Sequence, residues 1–155
     1  MSRSGHETTT QTAPDERRDP TRTLEGGCLC GGVRYRARGP VEGLARCCCR
    51  ECRKASGAEF ATNGNVARRH FELLEGEALL AEFESSPGQY RVFCGRCGSP
   101  LWKRNEATPE HVRLRLGCLD TAIDERPAVQ VFLSERMALS RLDPDLPSFE
   151  TLPGA

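Results

Sequence analysis

Nine cysteines stand in this chain of 155 residues, and eight of them fall in close groups. The densest group is the stretch RCCCRECRKASG at residues 46–57, which holds Cys47, Cys48, Cys49 and Cys52 among Arg46, Arg50, Arg53 and Lys54. The others are the pair CLC (Cys28, Cys30), the pair CGRC (Cys94, Cys97) and a single Cys118 in LGCLD. A disulfide framework would need an oxidising compartment, and an odd count leaves one thiol over. The polar N-terminal stretch carries no apolar leader run, so the expected compartment is the reducing cytoplasm. Clustered thiols in that setting are metal ligands.

The groups imply two kinds of site. Cys28 and Cys30 together with Cys94 and Cys97 make four thiolates, the closed tetrahedral shell of a structural zinc. Each pair is bordered by glycines, Gly31 and Gly32 in one case and Gly95 and Gly98 in the other, which allow positive-φ turns and bring amides near the sulfurs. A structural zinc contributes on the order of 10 kcal/mol, comparable with the stability of a whole small domain. In the dense group, a strand finishing over residues 45–49 would point Cys47 and Cys49 to one face and Cys48 to the other. A turn after Cys49 would then bring Cys52 to the same side. Three ligands leave one position open, as in a catalytic zinc site. The alternative is that Cys48, Cys118 or a histidine closes that shell. An open position on a zinc with three sulfurs suits a further sulfur, and a thiol bound there would lose its proton. Arg46, Arg50, Arg53 and Lys54 would partly offset the negative charge.

The elements that must position these thiols read as short strands. VRYRARG alternates Val33, Tyr35 and Ala37 with arginines, and HVRLRLG alternates Val112, Leu114 and Leu116 with Arg113 and Arg115. YRVF (residues 90–93) and PLWKR (residues 100–104) read as two arms of a hairpin around CGRCG, and AVQVFL (residues 128–133) as a further strand. RECRKASG and RRHFELLEG are expected to make short helical turns, each stopped by glycine. The proline-rich LDPDLPSFETLPGA suits neither regular element. The expected fold is a single mainly β domain, twisted, antiparallel and stabilised by zinc, with short helical turns, over residues 23–150. Residues 1–22, polar and spotted with proline, are expected to be a flexible tail.

Composition narrows the function. With 22 basic and 22 acidic residues the formal charge is zero, which argues against the broad basic face of a nucleic-acid binder. No apolar stretch approaches the roughly 18 residues that a membrane-spanning helix needs, so no membrane partner is expected.

GGCLCGGVRY, CCCRECRKASGAEF and FCGRCGSPLW resemble, in order and spacing, three motifs of the glutathione-dependent formaldehyde-activating enzyme family, which also includes the centromere protein V type domain. With RLGCLD and LPSFE the resemblance spans residues 24–150. It implies a structural zinc on Cys28, Cys30, Cys94 and Cys97 and a second, catalytic zinc on Cys47, Cys49 and Cys52. It also implies a carbon–sulfur lyase activity, the addition of glutathione to formaldehyde through a zinc-bound thiolate to give S-(hydroxymethyl)glutathione. By position alone, Arg53, Ser56 and Gly57 are the expected contacts for the thiol substrate. The chain departs from the family at three points. Cys48 stands where members often have histidine, Cys118 where they have serine or threonine, and SERMALSRL lacks a tryptophan that many carry. Two further readings stay open: a non-catalytic zinc module that binds a protein partner, and a thiol redox protein using Cys48 or Cys118.

Overall fold

Period-two alternation decides which side chains of this protein face inward. The computed structural model describes residues 19–154, so residues 1–18 of the expected tail lie outside the described residues. A first antiparallel sheet joins β1 (Thr23–Gly27), β2 (Arg34–Arg38) and β5 (Phe71–Glu75) in the order β1-β2-β5. The second sheet takes β3 (Glu42–Cys47), β4 (Ala61–Ala67), β6 (Leu80–Ser86), β7 (Gln89–Cys94), β8 (Pro100–Asn105), β9 (His111–Arg115) and β10 (Val129–Val131). Its order is β10-β3-β4-β9-β8-β7-β6. Every pairing is antiparallel except that of β10 with β3. One α-helix, α1 (Arg50–Ser56), follows β3. The mainly β reading holds.

Two of the strand expectations extend further than the sequence pattern alone suggests. YRVF and PLWKR are indeed the arms of the β7–β8 hairpin, with Val92 opposite Trp102. RRHFELLEG is different. Only Arg68–His70 coils, as a 3₁₀ turn, and Phe71–Glu75 is strand β5 paired with β2. Phe71 and Leu73 are two apart, which suits a strand face, and both pack on the core. β4, with the sequence ATNGNVA, and β6, LAEFESS, carry weak strand signals and owe their form to their neighbours in the sheet.

The two sheets share one core. Leu24, Val33, Tyr35 and Ala37 from the first sheet meet Val66, Val92, Leu101, Trp102, Val112 and Leu114 from the second. At its centre Tyr35, Phe71 and Trp102 form a triangle of tilted and edge-on rings with centroids 4.9–5.7 Å apart. Gly64 of β4 faces this core, where a Cβ would lie 2.3 Å from Val41 Cγ1. The opposite face of the seven-stranded sheet is polar, and it carries the site described below.

Among its described residues the proline-rich C-terminal segment forms no strand or helix, as expected, yet it is tied down. Gln130 of β10 is 1% exposed. Its Nε2 donates to Asp143 O at 2.7 Å and to Ser148 Oγ at 2.9 Å, while its Oε1 accepts from Asp143 N at 3.2 Å. Gln130→Ala removes all three hydrogen bonds of this buried side chain and is expected to lower the unfolding free energy by about 1–3 kcal/mol, read from urea denaturation.

Candidate metal centres

The first cysteine group is built from two matching turns. Cys28 and Cys30 lie in the β1–β2 connection, Cys94 closes β7, and Cys97 lies in the turn before β8. Gly31 (φ 75) and Gly98 (φ 76) take the left-handed conformation that lets each turn fold back, and their N–H groups donate to Cys28 O and Cys94 O at 3.0 and 2.8 Å. The four sulfurs lie within 4.8 Å of one another, with Cys28 to Cys30 at 3.4 Å and Cys30 to Cys94 at 3.8 Å. A tetrahedral ion with bonds of about 2.3 Å to sulfur sets its ligands about 3.8 Å apart, so the spacing fits zinc.

Donors surround these sulfurs. Val33 N–H donates to Cys28 Sγ at 3.1 Å and Arg96 Nε to Cys30 Sγ at 3.2 Å. Ser99 Oγ accepts the Leu29 N–H at 2.9 Å and lies 3.3 Å from Cys97 Sγ, within reach to donate its hydroxyl proton to a thiolate there. That hydroxyl, with the Ser99 and Cys30 amides, holds the Cys97 thiol down at about 5.

The second group belongs to a separate small cluster, in which Cys47 and Cys52 are buried with Ala61 and Val131. β3 ends at Cys47, two residues earlier than the alternation argument assumed. Cys49, with extended backbone (φ −60, ψ 153), caps the N-terminus of α1, and its Sγ accepts the Cys52 N–H at 3.3 Å. The first turn of α1 therefore returns Cys52 to the side of Cys47 and Cys49, and the three sulfurs lie within 4.8 Å of one another. Among the described residues no other cysteine, histidine, aspartate or glutamate completes a four-ligand set there. Cys48 is 2% exposed, its amide bonded to Val131 O and its carbonyl to Arg53 Nε. Cys118 sits beside the first group and donates its S–H to Pro100 O at 3.0 Å. Burial pushes both of these thiols up, which makes them weak nucleophiles.

A cavity of about 490 Å³ opens in front of the trio. Its wall is made by the polar sheet face, with Asn63, Gln89, Arg91, Lys103 and Arg113, and by Phe132 and Leu152 from the C-terminal part of the chain. Phe132 holds φ 58, a left-handed conformation that costs a bulky residue about 1–2 kcal/mol. Arg115 donates to Asn63 Oδ1 at 2.8 Å and reaches Cys52 Sγ at 3.9 Å. The Cys47 and Cys49 thiols, followed by Arg115 and Arg91, hold the Cys52 thiol low.

Arg53, Ser56 and Gly57 do not line this cavity. Arg53 turns its guanidinium to Cys48 O, and Gly57 (φ 60) is the C-cap of α1. Arg46 stacks on Phe60 and pairs with Asp143. The charge around the trio comes instead from Arg91, Lys103 and Arg113, which line the cavity, and from Arg115 beside Cys52.

Residues 23–135 match the family described as glutathione-dependent formaldehyde-activating enzyme. The chain belongs to this family. A Halomonas elongata protein provisionally named a glutathione-dependent formaldehyde-activating enzyme is 36% identical over 111 residues, covering 67% of this chain and 70% of the relative. A crystal structure of a Rhodobacter sphaeroides protein has the same fold, with a TM-score of 0.55 and 19% identity over 64% of this chain and 91% of its own. No helix among the described residues is long and apolar enough to cross a membrane.

Thiolate ligands must stay deprotonated, so acid releases a bound ion. The Cys97 pKa lies below that of an unfolded thiol near 9.0, so its contribution is full above that value and is lost as pH falls through about 5. Ser99→Ala removes the main cause of the depression. It is expected to weaken metal binding at the four-cysteine site about 10- to 100-fold and to start release at a higher pH, measured by chelator competition between neutral and acid pH.

Proposed function

We propose that this protein is a zinc-dependent carbon–sulfur lyase that adds a small thiol, glutathione, to formaldehyde or a related aldehyde, and that the Cys47, Cys49 and Cys52 site performs the reaction. The observation that supports this most is the trio itself, three sulfurs without a fourth ligand among the described residues, on the wall of an open cavity. Membership of a family named for formaldehyde activation supports the substrate pair. In this reading the protein holds two zinc ions, one in the four-cysteine shell and one at the trio, and works in the cytoplasm.

Cys47, Cys49 and Cys52 would hold a zinc ion, whose soft Lewis acidity would keep a bound thiol deprotonated. The chain does the rest. The Cys49 cap and the first turn of α1 fix three sulfurs on one side of the cavity and leave the other side free. Arg115, hydrogen-bonded to Asn63 and close to Cys52 Sγ, offsets the surplus negative charge of three thiolates. Phe132 and Leu152 give the cavity an apolar wall that shields a reacting pair from bulk water. The reaction forms one carbon–sulfur bond, and the thiol proton ends on the former carbonyl oxygen. No oxidant or reductant is required.

Exchange NMR of the formaldehyde–glutathione equilibrium tests this reading. Zinc-loaded protein should speed exchange beyond the spontaneous rate. Cys49→Ser should abolish the acceleration while the protein stays folded with one zinc ion. An unaccelerated rate with both ions bound, or full activity in Cys49→Ser lacking the second ion, would sink the proposal.

A further inference from the structure

Three cations stand in register across the polar face of the large sheet. Arg91 of β7 is opposite Lys103 of β8, and Lys103 is opposite Arg113 of β9. Residues so placed have Cβ atoms about 4.5–5.5 Å apart, and like charges there destabilise a sheet. All three line the cavity in front of the cysteine trio.

Little among the described residues neutralises this row. Glu51 takes Arg91 Nη2 at 2.8 Å. Lys103 Nζ donates to Gln89 Oε1 and Arg113 Nη1 to Asn65 Oδ1, each at 3.0 Å, and both acceptors are neutral amides. The other acid of the cavity, Glu135, accepts the backbone N–H of Arg50 at 2.8 Å. Arg91 is 8% exposed, and its Nη1 is buried without a partner among the described residues. Burial pulls both Lys103 and Arg113 below their ordinary ranges, as expected of cations short of counter-charge. The trio is a source of negative charge, but three thiolates on a divalent ion carry a formal −1 in total, and Arg115 already reaches Cys52.

The geometry points to a carboxylate subsite: Arg91, Lys103 and Arg113 bind a carboxylate of the thiol substrate and select carboxylate-bearing thiols over neutral ones. The inference rests on the lyase reading for the position of the sulfur; the cation row itself does not depend on it. Guanidinium groups take a carboxylate in forked hydrogen bonds, and the unpartnered Arg91 Nη1 is a donor available for one. The substrate class is therefore a thiol with an acidic end, which glutathione satisfies and 2-mercaptoethanol does not.

Calorimetric binding to the zinc-loaded protein tests this with glutathione and its diethyl ester, which keeps the thiol and masks both carboxylates. The ester should bind at least about tenfold more weakly than glutathione. In Lys103→Gln and Arg113→Gln that ratio should shrink towards one through loss of glutathione affinity, with ester affinity and zinc content unchanged. The urea midpoint of each variant should hold or rise, because a repulsive pair has been removed, whereas a purely structural role would lower it. Equal affinities for both thiols in the wild-type protein, or an unchanged ratio in the variants, would overturn the subsite and leave the lyase reading standing. Failure of both thiols to bind would overturn both readings.

Discussion

Four sulfurs within 4.8 Å of one another cannot all be thiolates without a cation between them, and the rest of the structure is arranged around that constraint. Cys28 and Cys30 belong to the connection within the three-stranded sheet, and Cys94 and Cys97 to a hairpin of the seven-stranded sheet. An ion held by all four would join the two sheets at their shared core, to which Tyr35 and Trp102 belong and on which Phe71 packs. Cys28 and Cys94 are themselves counted in that core. Metal binding and core packing would then stabilise each other and add stability that a modest β core cannot reach through burial alone.

The second group stands under a different constraint. Its sulfurs come from the end of one strand and the first turn of one helix, a single local stretch, so no distant element is held together by them. What faces them is the polar side of the large sheet. The strands that send Val92, Trp102, Val112 and Leu114 into the core necessarily send Arg91, Lys103, Arg113 and Arg115 out of the other face. One alternation thus produces both the core and the charged wall of the cavity. The C-terminal segment, held by the buried Gln130 side chain, completes that wall with Phe132 and Leu152.

The cysteine spacings were legible in the sequence because metal ligation is local within each pair and its glycines have fixed uses. The strand alternations of Arg34–Arg38 and His111–Arg115 were legible for a similar reason. β5 was not, because Phe71, Leu73 and Leu74 suit either period, and only pairing with β2 decides between them. β4 was hidden by Asn63, Gly64 and Asn65, residues that weaken a strand signal and here serve the site and the core. Arg53, Ser56 and Gly57 are close to the cysteines in sequence, yet α1 turns Arg53 back to Cys48 O and uses Gly57 as its cap. The cation row had no sequence signal at all. Its members lie on three strands, and register alone brings them together.

The central claim is that one cysteine site is closed and the other has room for a thiol. Absorption spectroscopy of the cobalt(II)-substituted protein tests it most directly, because ligand-field and sulfur-to-metal charge-transfer bands report the number of sulfurs at each ion. Glutathione should leave the four-cysteine signal unchanged and convert the second ion from three-sulfur to four-sulfur coordination, a change absent in Cys49→Ser. A second ion that already shows four sulfurs before any thiol is added, and stays unchanged afterwards, would contradict the account.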